Sequence, residues 1–329
     1  MSPLDNITRV VADSDLDGLM AAAVLKAAKP SIEVHFAHPA LIRAGSIDHL
    51  IDRNTAICDL PFHENCGLYL DHHQTNRPTK QQQILFEQSG GICHWRDTPS
   101  AARAAFDLMK DELDLSHLEE IMPLVDDLDS GGISLSEFME DGPVIRLSRS
   151  LSLKDKNHMQ VVLNQFAEGE SLESIISSHQ ERLSKLATER EAQTELVRKN
   201  TTIVDKLAIC DLSETGSRSN GYLVTALAGS DAIACCVIHG FIDGTIDNPN
   251  RQALGASFYA NSFLAEENPY DLSKLATLLD ATGGGHANAC GCRVQPADKS
   301  REMLVETDKD YNLQKWLELW SKRDTLMRQ

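Results

Sequence analysis

The sequence predicts an α/β fold in which an N-terminal lobe on a doubly wound parallel sheet is joined by a long connector helix to a smaller C-terminal α/β lobe. Three observations lead there. Short β-type runs alternate with helix formers up to Asp71, which is the rhythm of parallel βαβ units. A polar stretch from Ser171 to about Asn200 then reads as helix, with no Gly or Pro inside it. Beyond it, strand-like runs resume.

In chain order, Ile7 to Ala12 (ITRVVA) reads as a buried strand, followed by an acidic turn and the helix formers GLMAAAVLKAAK. Ile32–Ala37, Thr55–Cys58 and Leu68–Leu70 read as the next three strands, the last two each followed by an Asp. Pro99 opens a further helix, SAARAAFDLMKDEL, with Thr98 or Asp97 as its cap. In the polar stretch Ile176, Leu183, Leu186 and Leu196 recur near helical spacing without sustained heptads, so it reads as a connector and not a coiled coil. Leu207–Cys210, Ile233–Ile238 and Ala253–Tyr259 are strand-like, Asp271–Leu279 is helical, and GGGH follows. From about Lys299 a charged helical tail carries Trp316 and Trp320 four apart, a spacing that suits packing against the body or a partner chain. The expected division is 1–175, a connector 176–200, 201–297 and a tail 298–329.

Composition narrows the function. With 31 Lys and Arg against 49 Asp and Glu, the formal charge of −18 opposes tight binding of long nucleic acid. A small phosphorylated ligand or a short oligonucleotide stays compatible, provided that cations are held locally. No apolar run approaches the ~20 residues of a membrane span. The start MSPLDNITRVV lacks a secretory signal pattern, and the eight cysteines form no CxxC pair, so reduced thiols in the cytoplasm are expected.

The densest chemical signal is Asp13-Ser14-Asp15-Leu16-Asp17-Gly18 at the end of the first strand, where a parallel sheet opens its ligand crevice. Three acids within five residues repel one another unless cations neutralise them. An EF-hand loop also begins DxDxDG, but its twelfth position requires Glu and here is Val24. Asp15-Leu16-Asp17-Gly18 alone resembles the nucleophile motif of dehalogenase-like phosphatases. Asp59 in AICDLPF and Asp71-His72-His73 in LYLDHHQ follow further strands. Carboxylates with a minority of imidazole suit Mn²⁺ or Mg²⁺ better than Zn²⁺. Asp126-Asp127-Leu128-Asp129 adds acids at a helix end, and spacing leaves open which of the three faces the site.

DSDLDG, ICDL, DHHQ and VDDLDSG together resemble the four motifs of the DHH phosphoesterase superfamily of RecJ-like nucleases and small oligoribonucleases. Gly283-Gly284-Gly285-His286 resembles the substrate loop of the DHH-associated C-terminal domain, and the match runs from about residue 7 to 295. A dehalogenase-like reading leaves DHH and GGGH unexplained. The resemblance implies that Asp13 and Asp15 hold one Mn²⁺, that Asp17 and His72 hold another, that Asp59 bridges both, and that Asp126 completes the second site. It also implies that Asp71 orients an imidazole, that His73 faces the phosphate, and that the two cations activate a shared water. GGGH would let the backbone approach an anion at the start of a following helix, with His286 as a donor; a glycine cap ending the preceding helix is the alternative. Such oligoribonucleases usually carry an Arg-Ser pair in the preceding strand, whereas this chain has Ser257 and only Arg251 upstream.

The implied function is Mn²⁺-dependent hydrolysis (Mg²⁺ as the alternative) of phosphate esters in short oligonucleotides, linear dinucleotides or phosphonucleotides, by a protein that is monomeric or a homodimer. Exopolyphosphatase activity is the enzymatic alternative. A family II pyrophosphatase would lack GGGH. A catalytically silent nucleotide sensor would have lost ligand positions that are all filled here.

Overall fold

Five parallel strands, β1 (Arg9–Asp13), β2 (Glu33–Ala37), β3 (Thr55–Cys58), β4 (Leu68–Asp71) and β5 (Ile92–Trp95), form the first sheet in the order β2-β1-β3-β4-β5. The computed structural model describes residues 2–241, 246, 248, 254–265 and 268–329. Alternation along the strands decides what covers each face. Val10, Ala12, Ala56, Cys58, Leu68 and Leu70 join one core, while Val11, Ile57 and Tyr69 join another with Ile42 and Phe86. The chain leaves β1 for β2 on one side and then adds β3 on the other, so the carboxyl ends of β1 and β3 flank the switch point where such sheets bind ligands.

The helices of this region are α1 (Leu16–Ala28), α2 (Pro39–Arg43), α3 (Lys80–Gln88), α4 (Ala101–Met109), α5 (Met122–Ser130), α6 (Leu135–Glu140), α7 (Pro143–Ser150), α8 (Lys156–Ala167), α9 (Leu172–Ser178) and α10 (Gln180–Lys199). α1 is buried continuously from Leu16 to Leu25, as a helix apolar on every side should be. It packs between the sheet, α4 and α8, and Ala21, Ala22, Ala101, Ala102 and Ala105 let α1 and α4 approach closely.

The expected single connector helix is two helices. The His179 N–H closes α9 on the carbonyls of Ile175 and Ile176, both at 3.2 Å, and its own carbonyl accepts the Leu183 N–H that opens α10. At the break, the His179 ring is held by Gln165 of α8 at 2.8 Å and lies edge-on to His158.

The chain divides into two units, Met1–Ala187 and Thr188–Gln329, so the boundary falls inside α10 and not beside a separate connector. In the second unit, β6 (Thr201–Val204), β7 (Leu207–Asp211), β8 (Ala234–Ile238), β9 (Gly255–Ala260), β10 (Gly284–Gly285) and β11 (Ala289–Arg293) form a sheet ordered β10-β11-β9-β8-β7-β6. β7 and β8 are parallel and the other pairs antiparallel. Its helices are α11 (Gly221–Ala228), α12 (Ser273–Thr277), α13 (Glu306–Trp320) and α14 (Arg323–Leu326). The C-terminal segment is no appendage: Trp316 and Trp320 are each 1% exposed in this unit's core, Trp316 edge-on to Phe258 and Trp320 donating Nε1–H to the Asp205 carbonyl. Ala253, the first residue of the strand expected before GGGH, lies outside the described residues, as does Arg251. Every cysteine is a free thiol. Among the described residues no helix is long and apolar enough to cross a membrane.

Candidate metal centre

Strand termination brings the first-unit acids together. Asp13 ends β1, Asp59 follows β3 and Asp71 ends β4. Asp59 adopts φ +59°, a left-handed conformation that Asp tolerates better than most residues, while its N–H donates to the Leu70 carbonyl at 3.0 Å. Asp15 caps α1, accepting the Gly18 N–H at 2.9 Å. Asp17, in the first turn of α1, accepts the N–H groups of Ala102 at 2.6 Å and Ala101 at 2.8 Å, so the N-terminus of α4 grips both of its oxygens.

Three overlapping groups result, each with its potential ligand atoms within 4.8 Å of one another: Asp13, Asp15 and Asp59; Asp17, His72 and Asp129; Asp59, Asp71, His72 and His73. Asp59 and His72 join them, with His72 Nε2 lying 3.8 Å from Asp59 Oδ1, 3.6 Å from Asp17 Oδ2 and 3.1 Å from Asp129 Oδ2. His72 Nδ1 donates to the Thr98 carbonyl at 3.1 Å, which leaves Nε2 to face the carboxylates. Asp71 is fully buried. Its Oδ2 accepts from the Tyr69 hydroxyl at 2.7 Å, and its Oδ1 from the backbone N–H of His72 and from His73 Nδ1 at 3.0 Å.

This concentration of charge is expensive without a counterion. Burial first, then the neighbouring charges of Asp17 and Asp15, pushes the Asp59 carboxyl well above its ordinary range. Burial and Asp129 do the same to Asp17, and burial with Asp15 raises Asp13 to about 7. Burial opposes the charge on His72, yet Asp129, Asp17 and Asp71 outweigh it and hold the imidazole up at about 9. Asp71 is the exception: burial would raise it, but His73 and Tyr69 hold it below the usual carboxylate range.

The residues fit divalent cations. Asp59 Oδ1 is a buried polar atom with no hydrogen-bond partner, a costly arrangement, and the buried His72 Nε2 faces carboxylates, Asp129 Oδ2 nearest at 3.1 Å. Both face the same carboxylates, and a set of many oxygens with one imidazole is the donor chemistry of Mn²⁺ or Mg²⁺.

The acidic helix end corrects one expected ligand. Asp126 does not join the cluster. Its Oδ1 accepts from Ser100 Oγ at 2.6 Å and its Oδ2 from Arg103 Nε at 2.9 Å. Asp129 stands beside His72 instead. Ser100 is itself the N-cap of α4, so Asp126 braces the helix end that grips Asp17. The acidic run signalled this region, but neither Thr98 nor the Ser100–Arg103 brace carries a motif of its own.

In the second unit, GGGH is not the start of a helix. Gly284 and Gly285 form β10 and pair with Gly291 and Cys290 of β11, and His286 N–H donates to the Ala289 carbonyl at 2.7 Å in a tight hairpin. The glycine-cap alternative also fails, because α12 ends at Thr277. Two of the glycines have internal reasons. A Cβ on Gly283 would lie 2.4 Å from the Ala276 carbonyl oxygen, and one on Gly285, at φ +135°, 2.6 Å from that of Ala289. Gly284 has open space around it. His286 is exposed. Ser257, opposite Gly291 on β9, hydrogen-bonds His239 Nε2 at 2.8 Å. His239 was not expected. It follows β8, is 5% exposed, and is held down at about 4 by burial and then by the charge of Arg218.

No family model and no curated protein matches the sequence. Solved structures do. The pGpG-specific phosphodiesterase PggH of Vibrio cholerae superposes with a TM-score of 0.69 at 19% identity, covering 95% of this chain and 99% of that one. The chain shares the fold of that structure. An exopolyphosphatase-related protein of Bacteroides fragilis gives 0.52 at 14% identity, covering 96% of this chain and 92% of that one. The exonuclease RecJ bound to manganese gives 0.52 at 14% identity, over 96% and 90%.

Proposed function

We propose that this chain is a DHH-superfamily phosphohydrolase, dependent on two divalent cations, Mn²⁺ by preference, that cleaves phosphate esters of short oligonucleotides, linear dinucleotides or phosphonucleotides. One observation carries the reading: two ligand groups, Asp13–Asp15–Asp59 and Asp17–His72–Asp129, meet where the buried Asp59 Oδ1, which has no hydrogen-bond partner, lies 3.8 Å from His72 Nε2.

In this reading Asp13, Asp15 and Asp59 would hold one cation, and Asp17, His72 and Asp129 the other. Bound there, such cations supply Lewis-acid charge at the phosphoryl group and lower the pKa of a water nucleophile. The chain's own residues do the rest. Thr98 fixes which nitrogen of His72 faces the acids. The α4 N-terminus fixes Asp17. Asp71, through Oδ1, fixes the ring of His73, which donates a hydrogen bond to the phosphoryl or leaving oxygen. In the second unit, Gly283, Gly284, Gly285, His286 and Ser257 are the residues this reading assigns to binding a phosphorylated ligand, and Gly284 has open space around it. The −18 charge and the resemblance to PggH favour a short substrate over a long strand.

An assay with Mn²⁺ on pGpG, on 3′-phosphoadenosine 5′-phosphate and on polyphosphate tests this. Turnover of either nucleotide is the expected result. Turnover of polyphosphate alone would replace it with the exopolyphosphatase reading, and metal binding with no turnover of any of the three would make the chain a sensor.

A further inference from the structure

The chain has three tryptophans, and two of them, Trp316 and Trp320, are sealed in the second unit's core. The third is placed differently. Trp95 ends the edge strand β5, pairs in register with Asp71 of β4, and is only half-buried. Its Nε1–H donates to the His73 carbonyl at 3.0 Å, which ties the ring to the DHH turn itself. The exposed Arg77 guanidinium lies over the ring, 4.2 Å from its centroid. Arg96 follows Trp95 and folds back on the Trp95 carbonyl at 2.9 Å. In a strongly acidic chain, one indole and two arginines thus gather beside the candidate catalytic imidazole.

Packing alone accounts poorly for this group. The inner side of Trp95 meets the core of Val11, Tyr69 and Phe86, but an edge strand needs no indole tied to a histidine turn, nor a cation laid on its outer part. A guanidinium over a half-buried ring at the surface is held weakly, and a nucleobase stacks on an indole more strongly. Arginine planes also stack on bases, and a displaced guanidinium can pair with phosphate.

We propose that Trp95 and Arg77 form a nucleobase platform beside the metal centre, which makes the substrate a base-bearing nucleotide and not a bare phosphate chain. The base takes the ring face that Arg77 covers, and Arg77 moves to a phosphate oxygen. This rests on the phosphoesterase reading and names the substrate class of that site.

The test compares wild type, Trp95→Ala, Trp95→Phe and Arg77→Ala on two substrates, pGpG and the same dinucleotide with one base at a time replaced by an abasic ribose. Trp95→Ala should reduce the preference in kcat/KM for pGpG over one abasic analogue by about 5- to 150-fold, the cost of one lost stack. Trp95→Phe should restore most of that preference, and Arg77→Ala should lower it less. An equal loss on pGpG and on both abasic analogues would make Trp95 a mere support for His73 and overturn the platform, and so would no loss at all. A second readout does not need turnover: pGpG added with Mg²⁺ should change the tryptophan fluorescence of wild type but not of Trp95→Phe. If wild type hydrolyses nothing yet shows that change, the platform stands and the phosphoesterase reading falls. If pGpG is hydrolysed and the change persists in Trp95→Phe, the platform falls alone.

Discussion

The strand-end acids of the first unit and the glycine hairpin of the second unit are both motif regions, but they are stabilised in opposite senses. In the first, Asp13, Asp17 and Asp59 are pushed toward their protonated forms by burial and by neighbouring carboxylates, and the buried Asp59 Oδ1 lacks a partner. The arrangement is held by its surroundings, namely the α4 N-terminus, Thr98 and Tyr69. In the second, the hairpin satisfies itself: His286 and Ala289 exchange backbone hydrogen bonds, and Gly283 and Gly285 sit where no side chain fits. One region holds crowded acids of the kind a cation would relieve. The other needs only its own backbone, with open space around Gly284.

The sharpest way to break this contrast is Asp59→Ala. It should abolish Mn²⁺-dependent hydrolysis while preserving the circular dichroism spectrum, and the metal-free variant should melt a few degrees above metal-free wild type, because a buried like charge has gone. A lower melting temperature would mean that the cluster is not under strain.

Next in size is the pair at the helix end. Asp129→Asn should weaken Mn²⁺ binding by more than Asp126→Asn, whose cost should be about 10- to 100-fold because Asp126 acts through Ser100 and Arg103. Titration calorimetry on both variants measures the order, and the reverse order would restore Asp126 as a ligand.

The acids also predict a pH dependence. The carboxyl of Asp13 rises from 3.8 to about 7 in the metal-free fold. The folded state then binds more protons than the unfolded one between those values, so metal-free stability is greatest at low pH within that window and falls as pH rises through about 7. Saturating Mn²⁺ should flatten the fall, since the cation replaces those protons. Melting temperatures from pH 5 to 8, with and without metal, would show it; parallel curves would contradict it.

The smallest effects separate the glycines. Gly285→Ala should destabilise the protein by at least about 1 kcal/mol, given its φ of +135° and the crowding at Ala289. Gly284→Ala should leave stability within about 0.5 kcal/mol while raising KM. Equal behaviour of the two in urea melts and kinetics would erase the distinction.

Legibility followed locality. Thr55–Cys58 appears as a strand with the expected bounds, and the acids at strand ends are where an apolar run stops. β5 and β6 went unseen because edge strands with exposed residues, such as Ile92 and Ile203, carry no clean apolar pattern. The connector was read as unbroken because nothing in its composition announces that Gln165, far back in the chain, draws His179 aside.

The sequence by itself determined that carboxylates and imidazoles would crowd the carboxyl ends of parallel strands, because strand period and termination are set by near neighbours. Only the tertiary structure decided which of two acids three residues apart meets His72. Asp126 and Asp129 lie close together on one helix, and their partners come from β4 and the start of α4, elements whose approach no local pattern encodes. It also decided that Trp95 alone, of three tryptophans, would stand beside that site, since burial depends on what packs above a ring and not on the ring's place in the chain.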